Sequence, residues 1–158
     1  MKTATNYWLM KSEPNEYSID NLRVDKTEFW YGIRNYQVRN MLRDDMKVGD
    51  LALFYHSNAG KETGVVGVMK ITKKAFPDAT QFDSKSKYFD IKSKPETPRW
   101  LGVEVKFIKK LSRLVALSEL KANKFFADLP LIKKGNRLSI MPISAKYFNK
   151  IIQLADTK

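Results

Sequence analysis

Residues 29–43 read FWYGIRNYQVRNMLR, an order of residue types suited to a planar, hydrogen-bonding ligand. Trp30 and Tyr31 run into Gly32, where the chain can turn sharply because glycine has no Cβ to clash. A helix is expected to begin about two residues later, and N–H groups at a helix start favour anions or polar ligand atoms. Arg34 and Asn35 stand at that entrance. Arg39 and Arg43 are i, i+4 neighbours on one face, and Tyr36, Asn40 and Arg43 also share one. A flat aromatic, a forked cation and an amide recognise nucleobases by stacking and by edge hydrogen bonds. A second reading puts Trp30 and Tyr36 in the core and leaves the arginines solvated.

Other polar groups fall at the ends of expected strands. KSEP (11–14) brings Ser12 and Glu13. FYHSN (54–58) brings Tyr55, His56 and Ser57, and RLSI (137–140) brings Arg137 and Ser139. Polar groups at strand ends commonly line a pocket mouth, although serine and asparagine also serve ordinary turns. Enzyme signatures are missing: there is no P-loop, no GxGxxG and no GxSxG. The chain has no cysteine and one histidine, which excludes thiolate chemistry and disfavours a zinc site. His56 at a strand end reads more readily as a hydrogen-bonded structural group than as a base. No spacing of carboxylates demands a metal or a hydrolytic pair.

The elements that must position these groups follow from periodicity. Strands are expected at 7–11, 50–57, 64–76, 100–111 and 137–143. In the fourth, Val103, Val105 and Phe107 share a face opposite Glu104 and Lys106. Helices are expected from Ser18 to about Val24, from Asn35 to Lys47, over 118–126 with Ser118 as cap, and over 144–155 with Ser144 as cap. Val38, Met41, Leu42 and Met46 form the apolar stripe of the second. Tyr147, Phe148, Ile151 and Ile152 form that of the fourth. Residues 77–99 carry three prolines and many Ser, Lys and Asp, so they read as a long loop, packed down by Phe82, Tyr88 and Phe89. The βαβ period of a doubly wound sheet is missing, so an α+β chain with a small, mostly antiparallel barrel and flanking helices is expected.

The 158 residues fit one domain. Lys and Arg number 29 against 17 acids, a net +12, and a field of that sign attracts polyanions. No apolar run reaches membrane-spanning length and the N-terminus has no signal-peptide pattern, so a cytoplasmic or nuclear protein with no membrane partner is expected.

Taken in order, YWLMKSEP, GIRNYQVRNML, FYHSN followed by GVVGVMKI, and RLSIMPIS resemble the EVE domain family. PDATQFDSKSKYFD and PRWLGVEVKF fit between them, and the likeness covers about residues 6–153. The resemblance implies a PUA-like fold, related to the YTH and ASCH domains, in which a pocket beside the barrel takes up a nucleobase. It implies non-catalytic binding of a modified base in nucleic acid, for some members modified cytosine in DNA, with RNA also open. The family's SEP falls on Ser12, Glu13 and Pro14, its YHSN on Tyr55 to Asn58, and its RLS on Arg137 to Ser139. Tyr31 and Met141 depart from the pattern. The expected site is then a base stacked on Trp30 and bordered by Ser12, Glu13, Asn35, Tyr36, Tyr55, His56, Ser57 and Ser139. Arg34, Arg39, Arg43 and Arg137 would meet phosphates. No cofactor or metal is expected. The alternatives are a binder of a small nucleotide-like ligand, an RNA-binding module, and an enzyme acting on modified nucleic acid.

Overall fold

The computed structural model describes residues 5–157. Six strands and four helices follow in the order β1 (Tyr7–Ser12), α1 (Ile19–Asp25), β2 (Thr27–Trp30), α2 (Tyr36–Asp44), β3 (Leu51–His56), β4 (Gly64–Pro77), β5 (Leu101–Ala116), α3 (Leu117–Ala122), β6 (Ile140–Ile143) and α4 (Ala145–Ala155). All six strands join one sheet in the order β2-β5-β4-β3-β1-β6. Four pairings are antiparallel, while β1 runs parallel to β3.

The expected closed barrel is corrected. β2 pairs with β5 and β6 with β1, so these two four-residue strands are opposite edges of an open, mixed sheet. Alternation in a sequence says which side chains share a face; it does not say whether two edges meet. Register shifts along β4 and β5 bend the sheet without closing it.

Each face of the sheet carries its own apolar cluster. Trp8, Met10, Ala52 and Phe54 pack with α1 through Ile19 and Leu22 and with α2 through Val38 and Leu42; Met46 joins them from beyond α2, which ends at Asp44 and not at the expected Lys47. Leu9 and Leu53, pointing the other way, pack with α4 through Tyr147, Phe148 and Ile151. Phe54 is fully buried, and Phe54→Ala would cost about 3–5 kcal/mol.

Local chemistry sets the helix ends. Ser18 Oγ accepts from the Asn21 N–H, and Asn21 Oδ1 accepts from the Ser18 N–H, a reciprocal cap that starts α1. Asn35 Oδ1 accepts from the Val38 N–H at 3.0 Å and starts α2. The helix expected over 118–126 is two pieces. α3 begins at Leu117, so Ser118 lies inside it, and Asn123 then caps a separate 3-10 turn over Lys124–Phe126. Ser144 stands at the N-cap of α4 but makes no side-chain capping bond. β5 runs on to Ala116, β6 begins only at Ile140, and β2 is an element the periodicity did not mark.

The long loop before β5 is latched by buried polar groups. Asp78 is fully buried and accepts from the Gly32 N–H, the Thr80 N–H and hydroxyl, and Arg34 Nη1. Gln81, also buried, donates to the carbonyls of Asp78 and Trp100 and accepts from Ser93 Oγ and the Trp100 N–H. Tyr88 and Phe89 are partly covered, whereas Phe82 is exposed, so the expected packing holds for two of those three rings. Among the described residues, no helix is long and apolar enough to cross a membrane.

Candidate nucleic-acid interface

A cleft of about 740 Å3 opens where the ends of β1 and β3 meet the chain leaving β2. The parallel register sets Ser12 opposite His56, so both strands end at the same place. The Ser57 N–H donates to the Ser12 carbonyl at 3.0 Å, and the Lys11 N–H donates to the Ser139 carbonyl at 2.8 Å. Three distant segments are thereby fixed side by side. Beyond Ser12 the chain reverses, with the N–H groups of Glu16 and Tyr17 donating to the Glu13 carbonyl. Ser12 Oγ donates to the Tyr17 carbonyl at 2.6 Å. Asn58 adopts φ +52°, a left-handed conformation that asparagine tolerates, and its amide donates to the Glu13 carboxylate at 2.5 Å.

The opposite wall is aromatic. Gly32 has φ +85°, and a Cβ there would lie 2.7 Å from the Tyr88 ring. Only glycine lets that ring close against the backbone. Tyr31, 49% exposed, stands edge-on to Tyr88 with ring centroids 5.8 Å apart. Trp30 is 8% exposed and packs edge-on against Phe54, so it belongs to the core while lining the cleft floor. Glu16 pairs with Lys87 across the mouth. Lys11 and Arg137 face Glu13, Glu16 and Glu28, so the cleft is of mixed charge and no plain cationic trough. Burial lowers the pKa of the Lys11 ammonium.

Of the residues expected from sequence, Ser12, Glu13, Trp30, Ser57, Ser139 and Arg137 line this cleft. The others lie elsewhere. Asn35 is spent as the α2 cap. Tyr36 lies against Trp100 at 4.7 Å, under the Arg39 guanidinium. Tyr55 points into the core, and burial pushes its pKa up to about 12. His56 Nε2 accepts the Ile19 N–H at 3.1 Å and so supports the start of α1. Burial lowers the imidazole pKa, with the Asp20 carboxylate partly offsetting it.

The arginines divide sharply. Arg34 donates to the carbonyls of Tyr88 and Ile33, to Asp78 and to Thr80, and so ties the long loop to α2's entrance. Arg39 donates to Asn40 Oδ1 and the Arg99 carbonyl, and exposed Arg43 pairs with Asp44. Arg137 is exposed and in the cleft. Sequence reasoning missed Lys11, Glu16, Tyr17, Glu28, Phe29, Tyr31 and Tyr88 as lining residues, whereas the Asn58 amide of FYHSN does line the cleft. The signal for Phe29 and Tyr31 was the run of three consecutive aromatics, whose strand propensity marks β2 without any alternation.

The EVE domain family model matches residues 6–154. The chain belongs to the EVE domain family. It is 41% identical to thymocyte nuclear protein 1 of Gallus gallus, over 96% of this chain and 69% of that protein. Among solved structures it is similar to a Pseudomonas syringae protein, with TM-score 0.90, 42% identity and coverage of 94% and 99% of the two chains. It is also similar to human THYN1 protein, solved in complex with 5-methylcytosine-containing DNA: TM-score 0.90, 38% identity, and coverage of 98% and 99%. An ASCH protein from Zymomonas mobilis, at 12% identity and TM-score 0.55, shares the fold alone. Across this EVE domain, β1, β3 and the chain after β2 all deliver polar or aromatic groups to the one cleft.

Proposed function

We propose that this EVE domain binds DNA carrying a modified cytosine and acts as a reader, without catalysing a reaction on it. The observation that carries the reading is its likeness, over nearly the full chain, to human THYN1 protein in complex with 5-methylcytosine-containing DNA. The cleft supports it: about 740 Å3 falls within the usual range for small-ligand sites. Tyr31 offers the exposed ring on which a base stacks, and such a stack is worth about 1–3 kcal/mol. Buried Trp30 then forms the floor instead of the stacking face.

The Glu13 carboxylate accepts from a cytosine exocyclic amine, a donor that thymine lacks. The hydroxyls of Ser57 and Ser139 donate to the remaining base edge, while Ser12 Oγ, which already donates to the Tyr17 carbonyl, holds the wall beside them. Arg137, Lys11 and the +12 field draw in the phosphates. On this reading Arg34 and Arg39 hold the fold, Arg43 is engaged by its neighbour Asp44, and phosphate contact falls chiefly to Arg137 and lysines. Taking a base out of a duplex costs a few kcal/mol, which stacking and backbone contacts together offset. The protein would work wherever methylated DNA is found, in a nucleus or in bacterial cytoplasm.

The test is fluorescence anisotropy with two oligonucleotides that differ only in one cytosine methyl. Tighter binding of the methylated strand, with affinity falling steeply as salt rises, is the expected result. Equal affinity for both overturns the reading.

A further inference from the structure

The sheet face beyond the cleft carries a second set of groups. β2 pairs with β5 so that Thr27 opposes Lys106 and Phe29 opposes Glu104, which puts Phe29 and Lys106 on one face. Lys106 in turn opposes Lys70 of β4. Trp30, Val103, Val105 and Ile71 point the other way, into the cluster under α1 and α2, and Glu28 on that same side lines the cleft. On the outer face, Phe29 packs against Phe76 with centroids 4.5 Å apart, and lies 6.4 Å from Tyr31 with the two rings 18° from parallel. Phe76 is 38% exposed. Phe29 and Tyr31 also line the cleft, so this face begins where the cleft ends.

The lysines add an independent observation. Like charges directly opposed on neighbouring strands destabilise a sheet. Lys70 and Lys106 are both exposed, and neither enters an ion pair among the described residues. The carboxylate on this face, Glu104, is already held by Lys73 at 3.4 Å and by the Thr72 hydroxyl. A row of rings beside an uncompensated cationic pair matches a strand of bases beside its phosphates.

We propose that this outer face of β2, β5 and β4 is a track for single-stranded DNA, which receives the nucleotides adjoining the one held in the cleft. The bases stack along Tyr31, Phe29 and Phe76, and the phosphates meet Lys106 and Lys70. The proposal rests on the reader function for its starting point, and it adds where the flanking strand runs.

The test compares wild type, Phe76→Ala and the double variant Lys70→Ala/Lys106→Ala. Each is titrated with a single strand of about ten nucleotides bearing 5-methylcytosine, a length within the usual span of single-strand sites. Each is also titrated with 5-methyldeoxycytidine monophosphate and with a duplex. Phe76→Ala is expected to weaken strand binding at least about fivefold, the loss of one stack. The double variant is expected to reduce the slope of log affinity against log salt by about 1.4, for two single-strand phosphates. Mononucleotide affinity and the methyl preference are expected to stay unchanged. The double variant should melt no lower than wild type, because it removes a repulsion, so folding defects do not confuse the result. Unchanged strand affinity and slope overturn the track, as does a loss confined to the duplex. If wild type shows no methyl preference, the reader function fails alone: plain strands would still respond to these variants if the track is real.

Discussion

The latch under the long loop and the cleft beside it are both rich in polar side chains, yet they do opposite things. In the latch, Asp78 receives four donors, Gln81 uses both its amide oxygen and its nitrogen, and Arg34 spends its guanidinium on protein atoms. In the cleft, Arg137 is exposed, Tyr31 keeps half its surface open, and half-buried Lys11 forms no ion pair with the acids that line the cleft with it. Polar residues alone therefore do not mark a binding site. Saturated hydrogen bonding in the interior builds a wall, while unsaturated capacity at the surface is what a ligand can use.

The sharpest way to break this contrast is at Asp78. Asp78→Ala leaves Arg34 without its buried partner and should cost about 3–5 kcal/mol in urea denaturation. Burial alone would raise the Asp78 pKa, but the hydrogen bonds from Gly32, Thr80 and Arg34 outweigh it and hold it below the ordinary value. A depressed folded pKa means the stabilisation is fully present above about pH 4 and is lost as pH falls through the folded value. The stability gap between wild type and Asp78→Asn should accordingly narrow as pH drops below about 4. A gap that stays constant with pH would mean the carboxylate charge is not what the latch uses.

A smaller effect, and of the opposite kind, is expected from Tyr31→Ala. Folding stability should move by less than about 0.5 kcal/mol, as for exposed sites generally. Affinity for methylated DNA should fall by about 1–3 kcal/mol, the value of one base stack. If the melting temperature falls and affinity does not, Tyr31 belongs with the latch.

The smallest effect separates two arginines. Arg137→Ala should lower the slope of log affinity against log salt by about 0.7–0.9, one phosphate's share, with no change in melting. Arg34→Ala should leave that slope alone and lower the melting temperature.

Much of the scaffold was legible because it depends on near neighbours. The Ser18 and Asn35 caps reach three residues ahead, and Val38 and Leu42 repeat at the helical period. The cleft was half legible. Ser12, Glu13, Ser57 and Ser139 sit at strand ends, where β1 gathers them by pairing parallel with β3 and antiparallel with β6. What stayed hidden depended on partners far along the chain. Arg34 looks like a phosphate ligand until Asp78 and the Tyr88 carbonyl come round to it. Trp30 and Tyr31 are adjacent and both aromatic, and only the β2–β5 pairing decides that Trp30 turns inward and Tyr31 outward. Closure of a barrel likewise depends on whether two short edges meet, which no local pattern encodes.

The cleft is assembled from five stretches of chain that run from Lys11 to Ser139. No fragment of the molecule contains it, so occupancy and global folding are thermodynamically one event. A tight ligand would therefore report on the integrity of the whole polypeptide, delaying its thermal collapse in proportion to the logarithm of ligand concentration.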